Sequence, residues 1–326
     1  MESEKLNRIR VQLMDRKERL NTVISEHSAA AHYSNLLKEV DAALERIDSG
    51  SYGICVVCRG QIEDDRLLVN PLITVCLDDL NHHQRKHLEA DLDLARRIQT
   101  GMLPKNNLQI NGWEVVYHYE PAGAVSGDYC DVIDAGNSSS DLFFILGDVS
   151  GKGIAASMLM SHLHAMFHSM IPIGLSVTEL VQHASSLLCE STLSSHYATL
   201  LCIKACDNGE IEICNAGHMP PLLVKNGDIQ KISANGVPVG LFCDIEYSVN
   251  NFKMETGDTL LLYTDGVTET FFNDEEYGVE RLTKSLGENS YKSSGELITI
   301  LLEDVNKFAA GSGMKDDLTI MVIKKQ

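Results

Sequence analysis

No apolar run in this 326-residue sequence approaches the ~20 residues a membrane-spanning helix needs. The opening MESEKLNRIR carries charges with no apolar stretch behind them, so the secretory-signal pattern is absent too. The expected location is therefore the cytoplasm, with no membrane partner. Proline is missing from residues 3–49, which leaves nothing there to break a helix. Internal repeats and low-complexity tracts are also missing. Lys152 in SGKG lacks the GxxxxGK[ST] frame, which excludes nucleotide binding by that loop. His162, His164 and His168 lack the glutamate that would follow the first histidine of a zinc-protease pair. Positive charge is scarce: 27 Lys+Arg stand against 46 Asp+Glu, a net of −19. Residues 1–100 hold 14 basic and 17 acidic residues, and the remainder 13 and 29. So acidic a second part does not bind nucleic acid by neutralising phosphates. Its carboxylates are available for divalent cations or for solubility, and composition does not choose between them.

Nine cysteines are present, an odd number. Cys189, Cys202, Cys206 and Cys214 lie singly in apolar runs and read as buried free thiols in a reducing compartment. Only Cys55, Cys58 and Cys76 are spaced as a group.

The texture changes along the chain. In LLKEVDAALERIDSG, Leu36, Leu37, Val40, Ala43, Leu44 and Ile47 recur at three- and four-residue steps, the pattern of an amphipathic helix, which Gly50 and Gly53 stop. Residues 51–80 form a turn-rich unit around CVVC and Pro71. Residues 81–102 return to helix with Leu88, Leu92, Ala95, Ile98 and Met102 on one face, ended by Pro104. That narrow stripe suits a coiled coil in a homodimer, or packing on its own chain. From residue 113 short apolar runs bounded by Gly, Asp and Asn read as strands: WEVVYHYEPA, DLFFILGDV, YATLLCIKA, GEIEICNAG, DTLLLYTDG and DLTIMVIKK. Helical stretches fall near 153–170, 177–190 and 294–310. Sheets with helices packed outside them follow from this order. The expected division is a helical region 1–80 with a cysteine knuckle at 51–80, a helical linker 81–103, and a large domain 104–326.

The aspartates of the large domain fall at strand ends. Asp148 follows LFFILG, Asp265 follows LLLYT and precedes Gly266, and Asp316 and Asp317 precede LTIMVI. Asp128 stands in SGDYCD with Asp131 a short step on. Any one Asp-Gly alone would be a turn. Several carboxylates gathered together repel, and hard oxygen ligands point to Mg²⁺ or Mn²⁺ rather than zinc. Two such ions can activate a water and clamp a phosphoryl group, which is phosphatase chemistry without a protein nucleophile.

GDYCD, GDVSGKGIAASMLM, NAGHMPP, GVPVGL, GDTLLLYTDGVTE and KDDLTIMVI, in that order over roughly residues 90–326, closely resemble the PPM (protein phosphatase 2C-like) family, and within it the bacterial RsbU/SpoIIE branch. The resemblance implies an α+β fold, an α/β/β/α sandwich preceded by the small helical knuckle domain and the linker. It implies two Mn²⁺ or Mg²⁺ ions, with Asp148 bridging them, Asp128 and the Val149 carbonyl completing one, and Asp265 and Asp316 or Asp317 holding the other. Asp128, Asp148 and Asp265 would then be the catalytic set, and Asp131 and Asp317 would stand behind the ligands. Two departures leave the leaving-group acid and a phosphate grip unassigned. Ser150 stands where eukaryotic members place a histidine, and no arginine closely precedes Asp128. His218 in NAGHMPP reads as a structural hydrogen-bonding residue rather than that acid.

Cys55 and Cys58 form a Cys-x₂-Cys knuckle, with Cys76 further on and Asp79 where a fourth ligand belongs. The surrounding EVDAALERIDSGSYGICVVCRGQIEDDRLLVNPLITVC, residues 36–80 with the knuckle, closely resembles the DksA/TraR zinc finger. That resemblance implies Zn²⁺ held by Cys55, Cys58, Cys76 and one of Asp79, His82 or His83, and RNA polymerase as a partner for residues 1–80. The helices before it are too short, and lack the acidic tip, to copy the long coiled coil of those factors; a sensing or docking module fits better. The expected function is a metal-dependent serine/threonine phosphatase acting on a phosphorylated anti-sigma-factor antagonist of STAS type. The rival is a non-catalytic transcription regulator docked on RNA polymerase through the knuckle. The intact carboxylate set argues against the rival, since repelling carboxylates without a metal are costly.

Overall fold

The computed structural model describes residues 3–26, 30–79, 82–136, 140–191, 196–273, 275–310 and 316–326. The chain divides into two units, Met1–Asp91 and Leu92–Gln326.

In the first unit, α1 (Ser3–Glu26) and α2 (Ala30–Asp48) pack through the stripe legible in the sequence. Ile9, Leu13 and Leu20 of α1 meet Val40, Ala43 and Ile47 of α2, and the core continues into Tyr52, Cys55, Ile62, Leu67 and Cys76. Lys17 and Asp41 pair across the two helices at 2.7 Å. Gly50, at φ 70°, takes the left-handed conformation that ends α2. A short helix, α3 (Asp64–Val69), follows the knuckle turn. Helix α4 (His82–Met102) contains the point at which the units divide.

The second unit continues with β1 (Leu108–Ile110), β2 (Trp113–Glu120), β3 (Asp128–Asp134), β4 (Leu142–Val149), α5 (Ile154–Met170), α6 (Val177–Ser191), β5 (Ala198–Ala205), β6 (Glu210–Ala216), β7 (Leu222–Lys225), β8 (Asp228–Lys231), β9 (Asn250–Lys253) and β10 (Thr259–Tyr263). Then come α7 (Asp265–Thr268), β11 (Phe271–Phe272), β12 (Glu275–Glu276), α8 (Gly278–Asn289), α9 (Ser294–Ala309) and β13 (Leu318–Lys325). One sheet has the order β3-β4-β5-β6-β9 and the other β1-β2-β13-β10-β7-β8.

Strand alternation builds the layers. On β4, Phe143, Ile145 and Val149 pack with Leu163 and Phe167 of α5 and Leu180 and Val181 of α6. The alternate residues Leu142, Phe144 and Leu146 meet Leu260, Leu262, Met321 and Ile323 of the opposite sheet. On the far side, Leu261, Tyr263, Ile320 and Val322 pack beneath Leu282 and Leu286 of α8 and Leu297 and Leu301 of α9. The result is the α/β/β/α sandwich. Helix α8 adds to the expected helices. Its apolar positions Leu282 and Leu286 are one turn apart, but the short GVERLTKSLGEN segment carries too few of them to stand out from a loop.

Among the described residues no helix is long and apolar enough to cross a membrane. One cysteine reading is corrected. Cys189 is not a free thiol: it forms a disulfide with Cys243, whose Cα lies 5.7 Å away across 54 residues of sequence. The chain after Gly240 packs back onto α6 at Leu188, a contact that local sequence cannot reveal. Cys202, Cys206 and Cys214 are free, Cys202 and Cys214 being buried and Cys206 partly buried.

Candidate metal centre

On β4, Asp148 has the parity of Leu142, Phe144 and Leu146, so its carboxylate faces the slot between the sheets. Asp128 lies opposite it in the antiparallel register of β3 and β4. Asp265 begins α7 at the end of β10, and Asp316 and Asp317 lead into β13, the neighbour of β10. Two sheets therefore deliver carboxylates to one end of their shared slot.

Electrostatics records the convergence. Asp148 is pushed up to about 7, first by burial and then by the charges of Asp265, Asp316 and Asp317, with Lys152 opposing. Asp265 is raised by burial and by Asp316. Asp128 is raised well above the carboxylate range by burial and by Asp148. The Lys152 ammonium sits 2.9 Å from an Asp316 oxygen. Lys152 lacks a nucleotide-loop frame in the sequence, and its place four residues after Asp148 is the local signal that ties it to this group.

Hydroxyls and amides hold the acids in place. Asp128 is 1 % exposed and accepts hydrogen bonds from Thr264 Oγ1 (3.0 Å) and from Thr319 Oγ1. The Thr319 N–H in turn donates to Thr264 Oγ1. One carboxylate of the first sheet is thus tied to β10 and β13 of the second. Both threonines flank a motif aspartate, yet nothing in sequence marks their hydroxyls as partners of Asp128.

Asp317 has another task. Its Oδ1 accepts the Ala122 N–H and its Oδ2 the Gly127 N–H, each at 2.7 Å, anchoring the β2–β3 loop. Asp316 is partly exposed and ion-paired with Lys152. Asp317→Asn presents an amide NH₂ to one of those N–H donors. A loss of about 2 kcal/mol is expected, the scale of a hydrogen bond to a charged group, measurable as a lower urea midpoint at unchanged m.

Val149 closes β4, and the Gly127 backbone lies close beneath its carbonyl, where a Cβ on residue 127 would sit 3.1 Å from the oxygen. Ser150 is engaged with Tyr197, donating its N–H to the Tyr197 carbonyl and accepting the Tyr197 N–H on Oγ. His218 is buried, its Nδ1 is 2.7 Å from Thr199 Oγ1, and burial draws it down to about 4. That keeps the imidazole neutral at pH 7, in keeping with a structural role.

The structure does not bring Asp131 to this group. Three residues beyond Asp128, it has the opposite parity and faces α5. There its Oδ2 lies 3.1 Å from His164 Nδ1 and 2.8 Å from His168 Nε2. The placement behind the metal ligands is corrected accordingly.

In the first unit, the ligand atoms of Cys55, Cys58, Cys76 and Asp79 all lie within 4.8 Å of one another. Asp79 Oδ2 accepts from the thiols of Cys55 and Cys76, each at 3.2 Å. Backbone N–H groups of Val57 and Cys76 point at the Cys55 sulfur, and that of Gly60 at the Cys58 sulfur. Burial pushes Cys55 up, but N–H groups of Cys76, Cys58 and Val57 outweigh it and bring the thiol below its ordinary value. Cys58, beside the Asp79 carboxylate, is pushed up to about 12. The side chains of His82 and His83 lie outside the described residues.

An α/β/β/α sandwich with carboxylates gathered at one end of its central slot defines a PP2C-like domain. The SiaA-PP2C domain of Pseudomonas aeruginosa shares the fold at a TM-score of 0.65, with 17% identity over 74% of this chain and 98% of that one. The chain belongs to the SpoIIE family: the stage II sporulation protein E model matches residues 138–326, more than half of its length. Protein IcfG of Synechocystis sp. is 26% identical over 72% of this chain and 41% of its own length. The phosphoserine phosphatase RsbP of Bacillus subtilis is 30% identical over 56% of this chain and 46% of its own. The chain spans less than half the length of either relative.

Proposed function

We propose that this protein is a metal-dependent protein serine/threonine phosphatase whose substrate is a phosphorylated anti-sigma-factor antagonist of STAS type. The observation that carries the reading is the convergence of Asp128, Asp148, Asp265 and Asp316 at one end of the inter-sheet slot, where burial and mutual repulsion raise Asp148, Asp128 and Asp265 together. Membership of the SpoIIE family and the likeness to a phosphoserine phosphatase support it.

The donor set is all oxygen and strongly anionic, which fits Mn²⁺ or Mg²⁺. Asp128, Asp148, Asp265, Asp316 and the Val149 carbonyl would hold two ions. Bound there, the ions supply Lewis acidity toward a phosphoryl oxygen and lower the pKa of water. The chain's own residues supply the frame. Thr264 and Thr319 hold Asp128, and Asp317 fixes the β2–β3 loop rather than serving as a direct ligand. Lys152, already paired with Asp316, is placed to attract an anionic phosphoester to the mouth. Hydrolysis of p-nitrophenyl phosphate and of a phosphoserine protein, with and without Mn²⁺, tests the reading. Turnover only with metal supports it; metal-independent turnover overturns it.

In the N-terminal unit the four converging donors and the N–H groups aimed at sulfur support zinc in a DksA/TraR-like knuckle, with Asp79 replacing a cysteine. We assign that unit a docking or sensing role, toward RNA polymerase or another regulator. Exposed Leu94 and Ile98 on α4 support a homodimer. Zinc chelation is expected to lower the melting temperature of the wild type by more than that of Cys55→Ser/Cys58→Ser, as read by circular dichroism; equal shifts would remove zinc from the knuckle.

A further inference from the structure

We infer that Asp131, His164 and His168 form a binding site for one divalent cation of the zinc class, separate from the carboxylate centre and on the opposite face of β3.

His164 and His168 are one turn apart on α5, so both imidazoles project from the same face of the helix. Their ring centroids are 4.2 Å apart. One ring nitrogen of His164, one of His168 and an Asp131 oxygen all lie within 4.8 Å of one another. A tetrahedral zinc ion with ligands at about 2.0–2.2 Å holds its donor atoms a little over 3 Å apart, so small side-chain rotations suffice to admit it. The two imidazole nitrogens and one carboxylate oxygen suit zinc or cobalt and are a poor match for Mg²⁺, which prefers oxygen.

Hydrogen bonding alone serves the cluster badly. Both histidines converge on the same oxygen, Asp131 Oδ2, which also accepts the Tyr129 hydroxyl at 2.9 Å. Three donors crowd an oxygen with two lone pairs. A cation between the imidazoles and Oδ2 relieves the crowding and leaves the Tyr129 bond intact. The carboxylate is prepared for that role: it is 2 % exposed, and the Val132 N–H holds its other oxygen at 2.8 Å. Such bonds to a ligating carboxylate fix its orientation and raise affinity.

The cluster also opens outward. The His168 side chain is 45 % exposed and that of His164 21 %, which gives an entry path and room for a water as the remaining ligand. An ion here fastens α5 to β3. The same strand carries Asp128, and the helix follows directly on the Ser150–Gly153 loop after Asp148, so loading the site stiffens the support of the carboxylate centre.

The test is a Zn²⁺ titration of the full chain against a chromophoric chelator, in excess Mg²⁺, comparing wild type with His164→Gln/His168→Gln. Zinc taken up by the knuckle or the carboxylates is common to both chains and cancels. The wild type is expected to bind one equivalent more. Equal stoichiometries overturn the site. Should the double variant lose its circular dichroism, His168→Gln, at the more exposed position, replaces it. Removing outer partners of a metal ligand costs about 10–100-fold in affinity, so loss of a ligand is expected to weaken that equivalent at least 100-fold. Unchanged affinity in His168→Gln overturns the inference.

Discussion

Asp148→Asn is expected to lower metal-dependent phosphatase turnover by about 10³-fold or more while making the metal-free protein harder to melt. Both effects have one origin. Asp148 stands where the fields of Asp265, Asp316 and Asp317 add, and together with burial they raise its carboxyl to about 7. An unfolded aspartate titrates near 4. Between those values the folded chain binds the extra proton, so its metal-free stability falls as pH rises through that window and the full cost is present above pH 7. At about 1.4 kcal/mol per pH unit, the cost reaches roughly 4 kcal/mol. Asparagine removes the charge, so calorimetry at pH 8 without metal should show a melting temperature several degrees above wild type. With metal the order reverses, because a cation binding only the native state stabilises it in proportion to its affinity. Mn²⁺ affinity of the wild type should itself fall about tenfold per unit as pH drops below 7, since the proton competes for Asp148. If Asp148→Asn kept wild-type turnover, the carboxylate group would not be the catalytic centre. An unchanged metal-free melting temperature would mean that its charges do not repel.

Gly266→Ala is expected to cost about 3 kcal/mol or more and to weaken Mn²⁺ binding at least tenfold, although it adds a single methyl group. A Cβ at 266 would lie 2.0 Å from the Asp317 carbonyl oxygen and 2.9 Å from its carbon. The obstacle is backbone, which cannot rotate aside as a side-chain end can. The chain at 316–317 would have to move, taking Asp316 away from the carboxylate group and Asp317 away from the Ala122 and Gly127 amides. Gly101→Ala in α4, where a Cβ meets nothing within 4 Å, is the control and should leave both quantities unchanged or slightly raise stability. Wild-type Mn²⁺ affinity in Gly266→Ala would show that the α7–β13 contact does not position the site. Urea melts and metal titration on the same samples separate a folding defect from a site defect.

These two residues also mark how far the sequence could be read. Asp148 was legible because a carboxylate at the end of an apolar strand, followed by VSGKG, is unusual chemistry in a short window. Gly266 was visible as half of an Asp-Gly step, but its reason lies fifty residues away, in a carbonyl that only folding brings near. The stripe at Val40, Ala43 and Ile47 predicted helix α2 and the face it buries, because helical period is a local property; that α1 covers this face came from the fold. The Cys189–Cys243 disulfide and helix α8 went unread, the first because it joins distant segments and the second because its apolar positions are few.

The sequence carried six of the strands and three of the helices of the second unit, together with the types of acid at its strand ends. It also marked out the four candidate donors of the knuckle. Local period and side-chain chemistry are written residue by residue, so both survive without coordinates. Which acids share a face was set by packing. Strand parity sends Asp128 and Asp148 into the slot between the sheets and Asp131, three residues on, to the histidines of α5. The register of β3 against β4 sets Asp128 opposite Asp148, and the crossing of the two sheets supplies Thr264, Thr319 and the Asp317 anchor. Those are long-range pairings, whose partners are chosen by packing rather than by neighbours in the chain.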